Sequence, residues 1–292
     1  MDRRLAAQPG DAGHAGSYMK RKTGKKKLTL AEQADRHLLY EKSVQDPENE
    51  CRFVYRTFRA LRGRKPRILR EDFCGTAAVS CEWVRRHREN RAIGIDLDPE
   101  VLEWARAHNV SALKPARREH LQLVQGDVLT VTTGTPVDLT LAMNFSYMIF
   151  KTRSRLLAYF SKVREGLAGD GVFILDAFGG YEAYKEMRET TKHKGFSYIW
   201  EHARFNPISG EILCYIHFRF RDGSRLKRAF SYDWRLWTLP ELRELLLEAG
   251  FSKATVYWEQ VDEESGEGTG EYRPSETGDA DPGWVCFIVA EC

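Results

Sequence analysis

Apolar and polar positions follow two distinct rhythms along this chain of 292 residues. Five short apolar runs, Arg67 to Asp72, Ala92 to Asp96, Leu121 to Gly126, Val137 to Met143 and Val172 to Ala177, alternate with amphipathic stretches at Ala77 to His87, Glu100 to His108 and Arg153 to Leu167. Apolar runs separated by helical periods predict a parallel sheet with crossover helices, an α/β architecture. After Ala177 the period falls to two. Phe196 to Phe205, Glu211 to Phe220 and Ser224 to Asp233 read as strands joined by the turn sequences NPISG and RDGS, so a small antiparallel β insertion is expected at about 194–235. A helix over Leu239 to Ala249, closed by Gly250 in a Schellman motif, leads back to two last strands of the main sheet, Ala254 to Glu259 and Trp284 to Ala290. Upstream, Leu30, Ala34, Leu38, Leu39 and Tyr40 recur at helical spacing behind the capping-box pair Thr29 and Glu32, and a second helix is predicted over Glu48 to Leu61. Residues 29–65 are thus expected to form a helical N-terminal lid.

Two segments lack either rhythm. Residues 1–28 are rich in Gly, Ala and Lys and end in KRKTGKKK, which predicts a disordered basic tail serving either as a phosphate-attracting arm or as a solubilising extension. The acidic stretch 262–283 is too long for an ordinary hairpin and is expected to be a loop, either mobile or specific to a partner.

Composition changes the picture in three ways. The 42% of hydrophobic residues suffices for a sizeable core. The chain lacks an apolar segment of bilayer-spanning length, so a cytoplasmic protein with no membrane partner is expected. The six cysteines are dispersed without CxxC pairs, which predicts reduced thiols and no metal. The net charge of +3 is misleading, because residues 1–27 carry eight Lys or Arg and two Asp, and +3 less this +6 leaves −3 for the remainder. An acidic body argues against a nucleic-acid partner.

Candidate chemistry begins at ILREDFCGTAAVSCEWV, Ile68 to Val84, where a strand runs through a tight turn into a helix. Gly75, followed by the small residues Thr76 and Ala77, lets backbone approach a ligand closely. Asp96 ends the second strand, at a spacing suited to ribose hydroxyls, and Asp127 ends the third, where it can accept from an adenine amino group. A nicotinamide enzyme would carry G-x-G-x-x-G, but only Gly75 of the three glycines is present. P-loop and metal-ligand patterns are absent from the sequence.

With Glu71, Gly75, Asp96 and Asp127 in this order, the stretch from Pro66 to Cys292 resembles the class I S-adenosylmethionine-dependent methyltransferases. The resemblance implies a Rossmann-like seven-stranded sheet as a methyltransferase domain over 66–292, with S-adenosyl-L-methionine as cofactor. It implies that Glu71, or Asp72 beside it, lies near the methionine amino group, Asp96 at the ribose and Asp127 at the adenine. Arg70, Phe73, Cys74, Gly75, Thr76, Leu97, Val128 and Asn144 are expected around them, and Tyr40 is expected to close over the cofactor. Phe73 and Ala77 depart from the family pattern, which usually has glycine at both positions.

The acceptor is expected at the carboxyl end of the fourth strand, in AMNFSYMIFK, Ala142 to Lys151. Asn144, Ser146 and Tyr147 offer an amide, a hydroxyl and a phenol there and Phe145 is placed to pack against the cofactor, though Phe145, Met148 and Phe150 also suit packing of the next turn. The segment lacks the two prolines of the base-modifying amino-methyltransferases, which argues against base amino methylation. Asp176, Tyr181, Tyr232, Arg235 and Trp237 flank the insertion. Arg235 is read either as a clamp for an acceptor carboxylate or as a structural ion pair. Asn144, Tyr147, Tyr181 and Arg235 are the candidate catalytic residues, and His37, His193, His202 and His217 are candidate bases that are as readily structural.

The expected function is methyl transfer to an N or O atom of a small-molecule acceptor. An RNA or protein methyltransferase using the basic tail, and a non-catalytic cofactor-binding protein, are the alternatives. A homo-oligomer is compatible with the sequence.

Overall fold

The computed structural model describes residues 27–262, 264 and 268–292. Most of the basic tail, and part of the acidic stretch, therefore lie outside the described residues.

The N-terminal segment forms three helices, α1 (Leu30–Gln33), α2 (Arg36–Val44) and α3 (Pro47–Arg62). The helix expected to run through Tyr40 is broken after Gln33 because Asp35 caps a new one, accepting the N–H groups of His37 and Leu38. The central sheet then begins with β1 (Ile68–Asp72), α4 (Ala78–Arg86), β2 (Arg91–Asp96), α5 (Pro99–Ala105), a π-helical turn at Arg106–Val110, α6 (Pro115–Arg118) and β3 (Leu121–Gln125). β4 (Val137–Ala142), α7 (Arg153–Gly166) and β5 (Leu167–Gly179) follow.

The chain next builds a separate four-stranded antiparallel sheet, β6 (Met187–His193), β7 (Phe196–Asn206), β8 (Glu211–Phe220) and β9 (Arg225–Arg235). Three of these strands were expected. The fourth, β6, reads MRETTKH and contributes mostly exposed polar side chains, so it has no hydrophobic rhythm to betray it. The chain returns through α8 (Leu239–Glu248), β10 (Lys253–Val261), β11 (Gly268–Pro274) and β12 (Trp284–Glu291). Gly250 closes α8 as anticipated: its own N–H donates to Leu247 and the Phe251 N–H donates to Leu246.

The main sheet has the order β11-β10-β12-β5-β4-β1-β2-β3, in which the five strands from β3 to β5 are parallel and the last three antiparallel. It has eight strands, not seven, since β11 arises inside the stretch expected to be a loop. Tyr272 anchors it, packing against Phe287 with ring centroids 4.6 Å apart. One apolar residue in GTGEYRP is too little signal for a strand read from pattern alone.

Helices cover both faces. Val54 and Phe58 of α3 and Val79 and Trp83 of α4 pack against Leu69, Leu141 and Ile174 on one side. On the other, Tyr159, Phe160 and Leu242 pack against Phe173, Leu175 and Ile288. A third cluster joins α2 to the small sheet through Leu39, Ile216 and Phe218. Among the described residues no helix is long and apolar enough to cross a membrane.

Candidate active site

β1 alternates its side chains across the sheet, and this separates two adjacent acids. Asp72 points with Arg70 toward α7, where it accepts Arg70 Nε at 2.7 Å and the Tyr159 hydroxyl at 2.9 Å. Arg70 is fully buried and also donates to the Val131 and Val128 carbonyls at 3.2 Å each. Neither side chain reaches the crevice above the sheet. Glu71 points the other way, and its Oε2 accepts the N–H of Ser80 at 2.8 Å and the Ser80 hydroxyl at 2.5 Å. Burial, with the nearby Glu50 and Asp96 charges adding to it, pushes the Glu71 carboxyl up to about 8.

The turn that follows keeps a glycine-like backbone without the glycines. Phe73 and Ala77 have φ of 57° and 56°, and Gly75 has 50°. Left-handed backbone costs a side-chain-bearing residue about 1 kcal/mol or more. Here the phenyl ring of Phe73 packs toward Phe150 and Tyr159, and Ala77 and Cys74 are buried together against Leu102. A Cβ placed on Gly75 would meet no atom within 4 Å, so open space lies above the turn. The Gly75 N–H donates to Asp96 Oδ2 at 2.8 Å, and the Asp98 N–H donates to Oδ1 at 2.9 Å, which fixes the Asp96 carboxylate at the crevice rim. Burial raises its pKa. Beside it Leu97 is 68% exposed, an apolar shelf at the carboxyl edge of β2. Asp127, after β3, accepts the Leu129 N–H at 2.9 Å through Oδ1, while Val128 is buried.

The N-terminal helices are strapped to this turn. The Thr76 hydroxyl donates to Gln45 at 3.3 Å, Asn109 bridges Glu41 and the Thr76 carbonyl, and the Trp104 indole N–H donates to Asp35 at 2.7 Å. Tyr40 projects from α2 beside Phe230 and reaches a cavity between the two sheets.

That cavity, about 780 Å³, ends on the turn after β4, where Asn144 and Phe145 both have left-handed backbone, with φ of 56° and 58°. Asp176 on β5 supports the turn. Its Oδ2 accepts the Asn144 N–H at 2.7 Å and its Oδ1 accepts the Phe145 N–H at 2.8 Å. Burial pushes the Asp176 carboxyl up to about 7.

Aromatic side chains dominate the walls: Phe145, Phe178, Tyr198, Trp200, Tyr232 and Trp234. Four carboxylates, Glu182, Glu189, Glu259 and Asp281, also line it, and among the described residues no lysine or arginine does. Among the described residues Glu182 is the one of the four with a salt-bridge partner, Lys185 at 3.3 Å. His202 completes the lining, and burial lowers its pKa, so the ring is neutral at pH 7.

This is the chain geometry of a known architecture: a parallel sheet ended by an antiparallel pair, with acids at the ends of β1, β2 and β3. A S-adenosylmethionine-dependent methyltransferase from Clostridium acetobutylicum superposes with a TM-score of 0.64 at 17% identity, over 87% of this chain and 96% of its own. The fold is that of the S-adenosylmethionine-dependent methyltransferases. An amino pentose methyltransferase of calicheamicin biosynthesis from Micromonospora echinaspora shares this methyltransferase fold with a TM-score of 0.62 at 17% identity, over 92% of this chain and 99% of its own. A sugar N-methyltransferase from Streptoalloteichus does so with a TM-score of 0.59 at 16% identity, over 100% and 98% of the two chains. No protein-family profile and no curated protein sequence matches this chain.

Within the methyltransferase fold, the expected residues divide. Tyr40 and Asn144 reach the cavity, and Glu71, Gly75, Thr76, Asp96, Leu97 and Asp127 gather around the β1–α4 crevice. Tyr147 is fully buried in the core with its hydroxyl unpaired among the described residues. Tyr181 is 55% exposed on a 3-10 turn, stacked under Lys185, and is not part of the cavity wall. Arg235 lies over the Trp237 ring and donates to Glu241 at 2.9 Å, an ion pair pointing away from the cavity. Sequence reasoning missed Trp200, Trp234 and Glu189 as cavity walls; alternation along β7 and β9 was an available signal for the two tryptophans, whereas β6, which carries Glu189, offers none.

Proposed function

We propose that this protein is a S-adenosylmethionine-dependent methyltransferase that methylates the amino group of a small acceptor. The observation that carries the reading is the cavity closed by the Asn144–Phe145 turn, with four carboxylates, aromatic walls and no lysine or arginine among the described residues. Carboxylates and aromatic faces both favour a cation, and a desolvated aromatic face contributes about 2 kcal/mol toward one. A carboxylate-bearing acceptor would meet repulsion instead. The amino pentose and sugar N-methyltransferase named above support the same class.

The crevice suits the cofactor by its own chemistry. Space is open above Gly75, Asp96 is held at the rim with lone pairs left for two ribose hydroxyls, and Leu97 offers apolar surface beside it. Asp127 keeps Oδ2 for an exocyclic amine. When bound, the cofactor supplies an electrophilic methyl carbon on a sulfonium. The protein then has to align the acceptor nitrogen and keep water out. An amine enters such a cavity as an ammonium ion and needs to lose a proton before its lone pair can attack. Neutral His202 is the wall residue suited to take it. Tyr40, from the strapped helix α2, closes the cavity on the cofactor side.

Isothermal titration tests the cofactor half: micromolar binding of S-adenosylmethionine is expected, and Asp96→Ala should abolish it. Release of S-adenosylhomocysteine across matched panels of primary amines, phenols and carboxylic acids tests the acceptor half. Turnover confined to phenols or acids would refute the amine reading.

A further inference from the structure

Glu50 stands in the first turn of α3, and its two carboxylate oxygens have different fates. Oε1 accepts the Asp46 N–H at 3.3 Å, a helix-terminus contact. Oε2 is shut off from solvent and has no hydrogen-bond partner among the described residues. A buried carboxylate oxygen left unpaired is costly, and such groups are retained where something binds them.

Its neighbours relate it to the crevice. α3 lies on the start of α4, where the Cys51 thiol contacts the Val79 carbonyl at 3.6 Å. The next residue, Ser80, holds Glu71. Five residues before Glu50, Gln45 accepts the Thr76 hydroxyl of the crevice turn. Glu50 therefore overhangs the β1–α4 turn from the N-terminal side. Its charge acts on both Glu71 and Asp176. No lysine, arginine or histidine is among the groups that act on Glu50 itself. Glu50, with its Oε2 shut off from solvent, and the buried Glu71 and Asp176 thus act on one another, and among the described residues no salt bridge joins any of the three to a lysine, arginine or histidine.

We infer that Glu50 is a cofactor-binding residue whose free Oε2 receives the α-ammonium group of S-adenosylmethionine. The N-terminal helices then supply part of the site and do not merely cover it. This rests on the methyltransferase reading above.

The test is calorimetric titration of the full chain, of Glu50→Gln and of Glu50→Asp with three ligands. They are S-adenosylmethionine, S-adenosylhomocysteine and 5′-methylthioadenosine, the last of which keeps the nucleoside and sulfur but lacks the amino-acid arm. Glu50→Gln should weaken the first two by about tenfold or more and leave methylthioadenosine within about twofold, the loss of one charge-assisted contact. Glu50→Asp, which keeps the charge, should recover part of that affinity. Thermal unfolding should show both variants folded, because glutamine preserves shape while removing a buried charge; should Glu50→Gln fail to fold, the Glu50→Asp ligand pattern decides alone. Equal weakening of all three ligands, no change for any of them, or an effect on S-adenosylmethionine alone would each overturn the assignment, the last by pointing to the sulfonium. Absence of S-adenosylmethionine binding to the unsubstituted chain would overturn the assignment and the methyltransferase reading together.

Discussion

Asp176 spends both carboxylate oxygens on two consecutive N–H groups, those of Asn144 and Phe145, whose backbones sit in a conformation that side chains disfavour. Strain of about 1–2 kcal/mol per residue is held there by charge-assisted hydrogen bonds of comparable strength. Asparagine could accept only one of the two N–H groups and would turn its own amide donors toward the other. Asp176→Asn is therefore expected to destabilise the fold by about 1–3 kcal/mol in denaturant titration. On the proposed reading it should also lower kcat by more than it changes the affinity for S-adenosylmethionine, since the turn shapes the cavity and not the crevice at Asp96. A kcat equal to that of the unsubstituted protein would show that the turn does not position an acceptor. His202 separates in a similar way. His202→Gln should depress turnover most near neutral pH, where the amine is still an ammonium ion and the His202 ring is free to take its proton, and leave cofactor affinity unchanged; an unaltered pH–rate profile would exclude it as the proton acceptor.

At the scale of elements, one of the contacts strapping α2 to the crevice comes from a residue used twice. Asp35 caps α2 through Oδ1 and accepts the Trp104 indole N–H through Oδ2. Asp35→Ala removes both, so a loss of about 1–2 kcal/mol is expected from the cap alone, together with faster amide exchange across Arg36–Val44 and weaker cofactor binding. Protection in α2 that stays unchanged would show that the cluster of Leu39 with the small sheet holds the helix unaided. The same scale shows where sequence pattern was informative. β1 to β5, the helices between them, and β7 to β9 were legible because each carries a clear period of two or 3.6, or a run buried on both faces. β6 and β11 were not, since edge strands with exposed polar faces look like loops. The positions of Gly75, Asp96 and Asp127 at or just after the ends of β1, β2 and β3 were legible, because strand ends follow from the apolar pattern. Burial was not: Tyr147 and Arg235 had the right chemistry in the right segments, yet one is core and the other is occupied by Glu241. The cavity walls come from α2, the turn after β4, seven strands (β5 to β10 and β12), the 3-10 turn at Glu182 and the loop at Asp281, a juxtaposition that no local window contains.

Across the whole molecule, the crevice and the cavity form one acidic region at the carboxyl edge of the main sheet. Burial raises the carboxyl groups of Glu50 and Asp176 to about 7 and that of Glu71 to about 8. In the unfolded chain these groups titrate near 4. At pH 8.5 they are ionised in the unfolded chain and mostly ionised in the folded one, and the folded protein carries most of the cost of burying the charge. As pH falls through 8 and 7 the folded state takes up protons that the unfolded state does not, so folding becomes more favourable. The acids with lowered pKa values, such as Asp35 and Asp170, titrate well below this window. His37 and His202, held neutral by burial, oppose the trend only near and below about 6.5, where their unfolded forms gain protons. Between pH 8.5 and 6.5 the ligand-free protein should therefore gain stability on the order of 2 kcal/mol, read as a rising Tm in scanning calorimetry. Saturating S-adenosylhomocysteine should flatten that slope, because its ammonium group balances the charge that protons otherwise neutralise. A ligand-free Tm that stays level or falls across this window would mean that the three carboxyl groups are balanced within the protein, and the acidic region would then lose its part in cofactor binding.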